Sequence, residues 1–225
     1  MKKLKKYFDK KNYENGEIIS KLIIDLDKEK KFKNILFVRT PTTGSWLDNI
    51  LPDDKRVKRV LYDTKKLENY FYHKSTIIIN CKELGLFLQN NNTKYDLICI
   101  DPFHEYKYSL RDFKELNLYL KKEGILLSHD CCPPSKLMSS PTFIEGGWCG
   151  ETYKAFVKNA LKNPKLYYCI LNIDTGIGII SKEKIYFLSN NLNKNKQKEM
   201  FALEKEDVYD FFVKNSKEII NLINL

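Results

Sequence analysis

The chain has 225 residues, 43% of them apolar and 13% aromatic, and a net charge of +10. That apolar content supplies a domain-sized core and excludes a disordered chain. No apolar run approaches the roughly 18–20 residues that span a bilayer, and the basic opening MKKLKKYFDK has no apolar stretch behind it; a membrane-spanning protein, a secretory signal, a collagen-like fibre and a disulfide miniprotein are therefore excluded.

Residues 17–30 carry Ile18, Leu22, Ile23 and Leu26 at helical spacing. Ile35 to Val38 is a short apolar strand that runs into Arg39-Thr40-Pro41-Thr42-Thr43-Gly44-Ser45. Val57 to Tyr62 reads as a second strand closing at Asp63, and Ile77 to Ile79 as a third leading into Asn80-Cys81. A helix through Leu84, Phe87 and Leu88 follows, then a strand from Asp96 to Ile100 closing at Asp101. Tyr106, Leu110, Phe113, Leu116 and Leu120 form one helical face. Lys121, Lys122 and Gly124 are expected to end it, with glycine as the left-handed cap. Ile125 to Ser128 is a fifth strand, ending at His129-Asp130.

A Pro- and Gly-marked loop leads to a helix over 151–162, and Leu166–Leu171 with Gly176–Ile180 reads as a hairpin. The polar stretch 189–198 reads as a linker, and 205–223 as a last amphipathic helix. Strands alternating with helices predict a doubly wound α/β fold of about seven mostly parallel strands, with right-handed crossovers and helical additions at both ends. The division is an N-terminal helical extension over 1–32, an α/β domain over 33–188, and a linker with a C-terminal helix over 189–225.

The lysines are spread along the chain, and the one dense run, Lys2, Lys3, Lys5, Lys6, Lys10 and Lys11, reads as a solvated helix start. The charge suits anionic substrates and leaves the fold open. None of the six cysteines forms a C-x-x-C pair, so a zinc site is not indicated; Cys99 and Cys169 read as small core residues in a chain of reduced thiols. A cytoplasmic location is the expectation.

In doubly wound sheets ligands bind beyond the carboxyl ends of the strands. The polar residues there are Arg39 to Ser45, Asp63, Asn80, Cys81, Asp101, His104, His129 and Asp130. Asp63 lies 19 residues past Gly44, the placement of a carboxylate that accepts the hydroxyls of a ribose. Each alone also reads as a helix cap or a satisfied polar group; their convergence on one rim indicates a site.

Tyr95-Asp96-Leu97-Ile98-Cys99-Ile100-Asp101-Pro102-Phe103-His104-Glu105-Tyr106, then Arg111-Asp112 and Gly124 to His129-Asp130, resembles the class I S-adenosylmethionine-dependent methyltransferases. The nearest pattern is the subgroup with I-D-G-D-H and H-D motifs found among bacterial surface-polysaccharide enzymes. Trp148 to Phe156, Asp174 to Ile180 and Val208 to Ile223 extend that resemblance. The chain departs from it at Phe37 and Arg39, where the family has an acidic residue and a glycine-rich turn, and at Pro102-Phe103.

The resemblance implies O-methylation of a sugar or sugar-linked group in capsule or lipopolysaccharide synthesis, the acceptor being a saccharide or nucleotide-sugar. S-adenosylmethionine would lie on Thr40, Gly44, Ser45, Asp63, Asn80, Cys81 and Asp101. His104 would be the general base, with Asp101, His129 and Asp130 as further catalytic groups. Mg2+ is a candidate second cofactor, on Asp101, His129 and Asp130. The loop 131–150, with Phe143 and Trp148, would cover the acceptor. The competing reading is a catalytically silent methyltransferase-like scaffold. A nucleic-acid methyltransferase has only the charge in its favour, and a homodimer is open.

Overall fold

The computed structural model describes residues 16–63, 73–80, 84–145 and 147–224. The lysine run at the start and Cys81 lie outside these. One eight-stranded sheet runs through the molecule in the order β3-β2-β1-β4-β5-β7-β6-β8. Its strands are β1 (Ile35–Arg39), β2 (Val57–Asp63), β3 (Thr76–Asn80), β4 (Tyr95–Asp101), β5 (Leu120–Ser128), β6 (Tyr167–Leu171), β7 (Ile177–Ser181) and β8 (Leu222–Ile223). Strands β1 to β5 are mutually parallel, and β7 is antiparallel to both β5 and β6. The expected doubly wound, Rossmann-like α/β sheet with a closing hairpin is therefore present. The added strand is β8, too short to read from sequence, which pairs Leu222 and Ile223 beside Ile170 and Leu171.

The helices are α1 (Glu17–Lys30), α2 (Leu84–Asn91), α3 (Tyr106–Tyr119), α4 (Thr152–Lys162), α5 (Lys194–Met200) and α6 (Lys205–Ile220), with a 3-10 turn over Ser45–Asn49 after β1. Helices α2 to α6 cover one face, where Leu88, Phe113, Leu116, Phe156 and Phe212 pack on Leu36, Val38, Ile98 and Ile100. The other face is covered by Ile18, Ile19, Leu22 and Ile23 of α1 and Leu47 of the 3-10 turn. Beneath them lie Ile35 and Phe37 of β1, Leu97 and Cys99 of β4, and Ile125 and Leu127 of β5. Alternation along a strand carries these rows on to Arg39, Asp101 and His129 at the carboxyl ends. Among the described residues no helix is long and apolar enough to cross a membrane.

Three elements differ from the sequence reading; the helix expected over 205–223 ends at Ile220, giving its last two residues to β8. Helix α3 stops at Tyr119 and β5 begins at Leu120, whose backbone is already extended. Gly124 is thus a strand residue rather than a cap; a Cβ there would meet the Tyr95 carbonyl at 2.9 Å, beside the register shift between β4 and β5. Within the polar stretch 189–198, Asn193 caps α5 by accepting from the Lys196 amide at 3.1 Å, and Met200 is buried in the core.

Candidate functional site

Asp101 ends β4, and the next turn brings His104 back beneath it. His104 Nε2 lies 3.1 Å from Asp101 Oδ1 and 2.9 Å from Asp130 Oδ2. His129, fully buried, points Nδ1 at Asp130 Oδ2 (3.2 Å) and Asp101 Oδ2 (3.5 Å), contacts of ion-pair distance rather than aligned hydrogen bonds. The other ring nitrogen, Nε2, is 3.3 Å from Thr175 Oγ1 and 3.4 Å from Asp174 Oδ1. The Thr175 hydroxyl donates its proton to the Asp174 carbonyl at 2.5 Å, so toward His129 it accepts, and Nε2 carries a hydrogen.

Burial alone would lower the two imidazole pKa values. The Asp130 charge, with the Asp101 and Asp130 carboxylates set against both rings, outweighs it and raises His104 to about 10 and His129 well above its ordinary value. Burial would likewise raise the two aspartates, and the imidazoles hold both below the ordinary carboxylate range, Asp130 furthest. Asp130 adopts φ 59°, a left-handed conformation that aspartate tolerates better than most residues.

The turn from β1 is fastened over this cluster. Thr43 Oγ1 donates to the Asp101 carbonyl at 3.0 Å, and Thr40 is satisfied internally by Thr43 at 2.8 Å. Gly44, at φ 64°, lies so close that a Cβ would meet Asp101 Cβ at 2.6 Å; only glycine fits both the conformation and the space. Trp46, from the 3-10 turn, donates Nε1–H to Asp101 Oδ2 at 3.3 Å and sets its ring against the His129 imidazole. Arg39 is buried in an ion pair with Asp48, at 3.1 and 2.6 Å, and caps the Thr40 carbonyl.

A second network fixes the turn from the opposite face. Tyr62 accepts from the Phe103 amide at 2.9 Å and donates to Asp112 at 2.6 Å, and Arg111 holds the other Asp112 oxygen at 2.6 Å. Beyond it, the Glu151 amide donates to the His104 carbonyl at 2.7 Å.

A cavity of about 580 Å³ opens over the cluster, within the size range of small-molecule sites. It is lined by Thr42 to Trp46 and Asn49, by Asp101, His104, Asp130 and Thr175, and by Met138, Phe143, Ile144 and Trp148 of the loop after β5. Trp148 packs edge-to-face on His104 (5.3 Å) and on Phe143 (5.5 Å), and donates to the Ser140 carbonyl. Cys149 also lines it; burial and then the Asp130 charge push its thiol up, which keeps it a neutral group.

Of the residues singled out from sequence, Asp101, His104, His129 and Asp130 come together, and Gly44 and Ser45 line the same cavity; Thr40 is buried behind them. Asp63 and Asn80 stand level with each other at the ends of β2 and β3. The residues expected around a metal, Asp101, His129 and Asp130, do not all present ligating atoms to one point. The ligating atoms that lie within 4.8 Å of one another belong to Asp101, His104 and Asp130; His129 stands behind them with a hydrogen on Nε2 and two carboxylates before Nδ1. Trp46 and Tyr62 were not read as site residues from sequence, and Asp112, Asp174 and Thr175 were read only within the motifs of the resemblance. Asp174-Thr175-Gly176 carried the signal of an ordinary hairpin turn.

No family model matches the chain, and no curated protein matches it. Among solved structures it is similar to the SAH-bound Podospora anserina methyltransferase PaMTH1, at 15% identity and TM-score 0.46 over 75% of this chain and 79% of that one. It is also similar to the MycE methyltransferase of the mycinamycin biosynthetic pathway in complex with Mg, SAH and mycinamycin VI. That match has 10% identity and TM-score 0.49 over 81% of this chain and 53% of that one.

Proposed function

We propose that the chain is an S-adenosylmethionine-dependent O-methyltransferase whose acceptor is a hydroxyl of a saccharide or sugar-linked small molecule, in surface-polysaccharide synthesis. The observation that carries the reading is the state of His104. Its Nε2 is held between two carboxylates, while Nδ1 is buried without a hydrogen-bond partner among the described residues. An imidazole fixed by two carboxylates at the wall of a cavity can act as a general base toward a hydroxyl once it is neutral.

When bound, S-adenosylmethionine supplies an electrophilic methyl on a sulfonium. Transfer of that methyl to an acceptor oxygen would require loss of the hydroxyl proton, which His104 would accept. Asp101 and Asp130 stabilise the imidazolium that results. Thr40, Gly44, Ser45, Asn80, Cys81 and Asp101 would hold the donor, and Asp63 would accept from its ribose hydroxyls. The aromatic wall of Trp148 and Phe143 suits the apolar face of a sugar ring and keeps water from the transfer.

The same triangle of Asp101, His104 and Asp130 fits a divalent cation such as Mg2+, which would supply Lewis acidity to the acceptor oxygen. A ligand role uses the Nε2 lone pair and leaves hydrogen on Nδ1, so His104 cannot be base and ligand at once. Calorimetric titration with S-adenosylhomocysteine, with and without Mg2+, tests the reading. Binding is expected in both, and binding only with Mg2+ moves His104 to the ligand role. No heat at millimolar S-adenosylhomocysteine from folded protein overturns the enzyme and leaves the silent scaffold.

A further inference from the structure

His129 makes no contact with the cavity, yet it is the most enclosed group of the cluster. One side faces Asp130 and Asp101, and the other faces Asp174 and Thr175, residues of the β6–β7 turn. Asp174 and Thr175 both hold left-handed backbones, at φ 49° and 60°. For threonine that conformation is a steric outlier, and such outliers persist where surrounding structure over-determines them. The restraint is visible: the Cys131 and Cys132 amides, immediately after Asp130, donate to the Gly176 and Thr175 carbonyls at 2.8 Å each. The turn is thereby stitched to the segment that carries Asp130.

The Asp174 carboxylate has a second set of partners. It accepts from the Gly16 amide at 3.0 Å and the Ile19 amide at 3.4 Å, at the start of α1. Gly16 in turn lies flat on the Trp46 indole, where a Cβ would meet the ring at 2.4 Å, and Trp46 donates to Asp101. Two routes thus run from the first turn of α1 to the acidic pair, one through Asp174 and His129, the other through Trp46.

We infer that Asp174 is a positioning residue: shared between the start of α1 and His129, it holds the His129 ring and through it the Asp101 and Asp130 carboxylates that orient His104. Its catalytic meaning rests on the function proposed above; the positioning itself does not. A helix cap alone would require neither the strained turn nor a carboxylate within reach of a buried imidazole.

The test uses full-length protein labelled with [15N]histidine, whose three histidines, His73, His104 and His129, give a sparse spectrum. In Asp174→Asn the Nε2–H resonance of His129 is expected to shift or broaden, and the ring resonances of His104 to move with it. Those of His73, whose ring bonds Ser75 away from the site, should stay. Thr175→Ala, which leaves the α1 contacts of Asp174 in place, should give the same pair of changes in smaller size and decides the matter if Asp174→Asn does not fold. Movement of His129 without His104, in either variant, would reduce Asp174 to a cap and overturn the inference. Mn2+ titration of the same samples adds a functional arm, with affinity expected to fall about 10–100-fold in Asp174→Asn. Wild-type protein that binds neither Mn2+ nor S-adenosylhomocysteine removes the methyltransferase reading, while the His104 resonances still decide the positioning.

Discussion

His104 is the residue on which chemistry and stability meet. Folded, it titrates at about 10 against an ordinary 6.5, because the pull of Asp130 and Asp101 exceeds the effect of burial. Its stabilising contribution is therefore full below about pH 6.5 and is lost as pH rises through about 10. Urea midpoints of the wild-type chain should fall across that window, and His104→Gln should flatten the fall; parallel curves would contradict the geometry. The same shift leaves the imidazole protonated at neutral pH in the free protein. With an acceptor in hand, kcat/KM should climb with pH toward about 10, and His104→Gln should lower turnover about 10²–10⁴-fold while S-adenosylhomocysteine affinity stays put. Unchanged turnover would remove His104 as the base. Asp101→Asn differs in kind. It strips the buried histidines of a charge partner and should destabilise the fold by about 3–5 kcal/mol, measured by equilibrium unfolding at pH 7. At this scale the sequence was most informative where polar residues interrupt apolar strands, as at Asp101, His129 and Asp130. It was silent on Trp46 and Asp174: Gly16 and Asp174 are 158 positions apart, and nothing local in an Asp-Thr-Gly turn announces a distant partner.

Elements were legible to the extent that one face of each is apolar. The five parallel strands and the hairpin follow from such runs, and α1, α3 and α6 from helical spacing. Failures came where tertiary contact overrides local preference. Gly124, after Lys121-Lys122-Glu123, resembles a helix stop, but the space beside the Tyr95 carbonyl makes it a strand residue. Helix α5 is nearly all polar, and only Gln197 and Met200 are buried; its stability comes from its cap and from α6. The segment after β5 is held by similar long-range bonds. The Cys149 and Gly150 amides both donate to the Met138 carbonyl at 3.0 Å, and Tyr209 of α6 donates to the Pro133 carbonyl at 3.0 Å. Gly150, at φ 56°, is where this segment crosses the His104 carbonyl, and a Cβ would come within 2.2 Å of it. Gly150→Ala should thus cost about 2 kcal/mol or more and displace the cavity wall; a thermal midpoint within 1 °C or so of wild type would show that the segment yields without strain.

At the scale of the molecule, the sheet separates two hydrophobic layers; among the described residues helices α2 to α6 cover one, and α1, the 3-10 turn and the segment through Ile185 and Leu188 cover the other. The division at residue 32 follows chain order, whereas packing predicts that α1 unfolds with the domain. Strands β1 and β4 are buried almost throughout, so each layer rests on backbone that the other also needs. Both tryptophans line the cavity, but Trp46 packs against Gly16 at the start of α1 and Trp148 lies on the loop after β5. Single-tryptophan variants made by Trp148→Phe and Trp46→Phe therefore report the start of α1 and the loop after β5 separately. A chain of this length need not unfold in one step, and coincident urea transitions for both tryptophans would establish that it does. Ile23→Ala in α1 and Phe156→Ala in α4, both fully buried, should each move the two transitions together by about 2–5 kcal/mol. If Ile23→Ala moved the Trp46 transition alone, α1 would be a separable appendage. Its contacts with Trp46 and Asp174 would then be made and broken without unfolding the sheet.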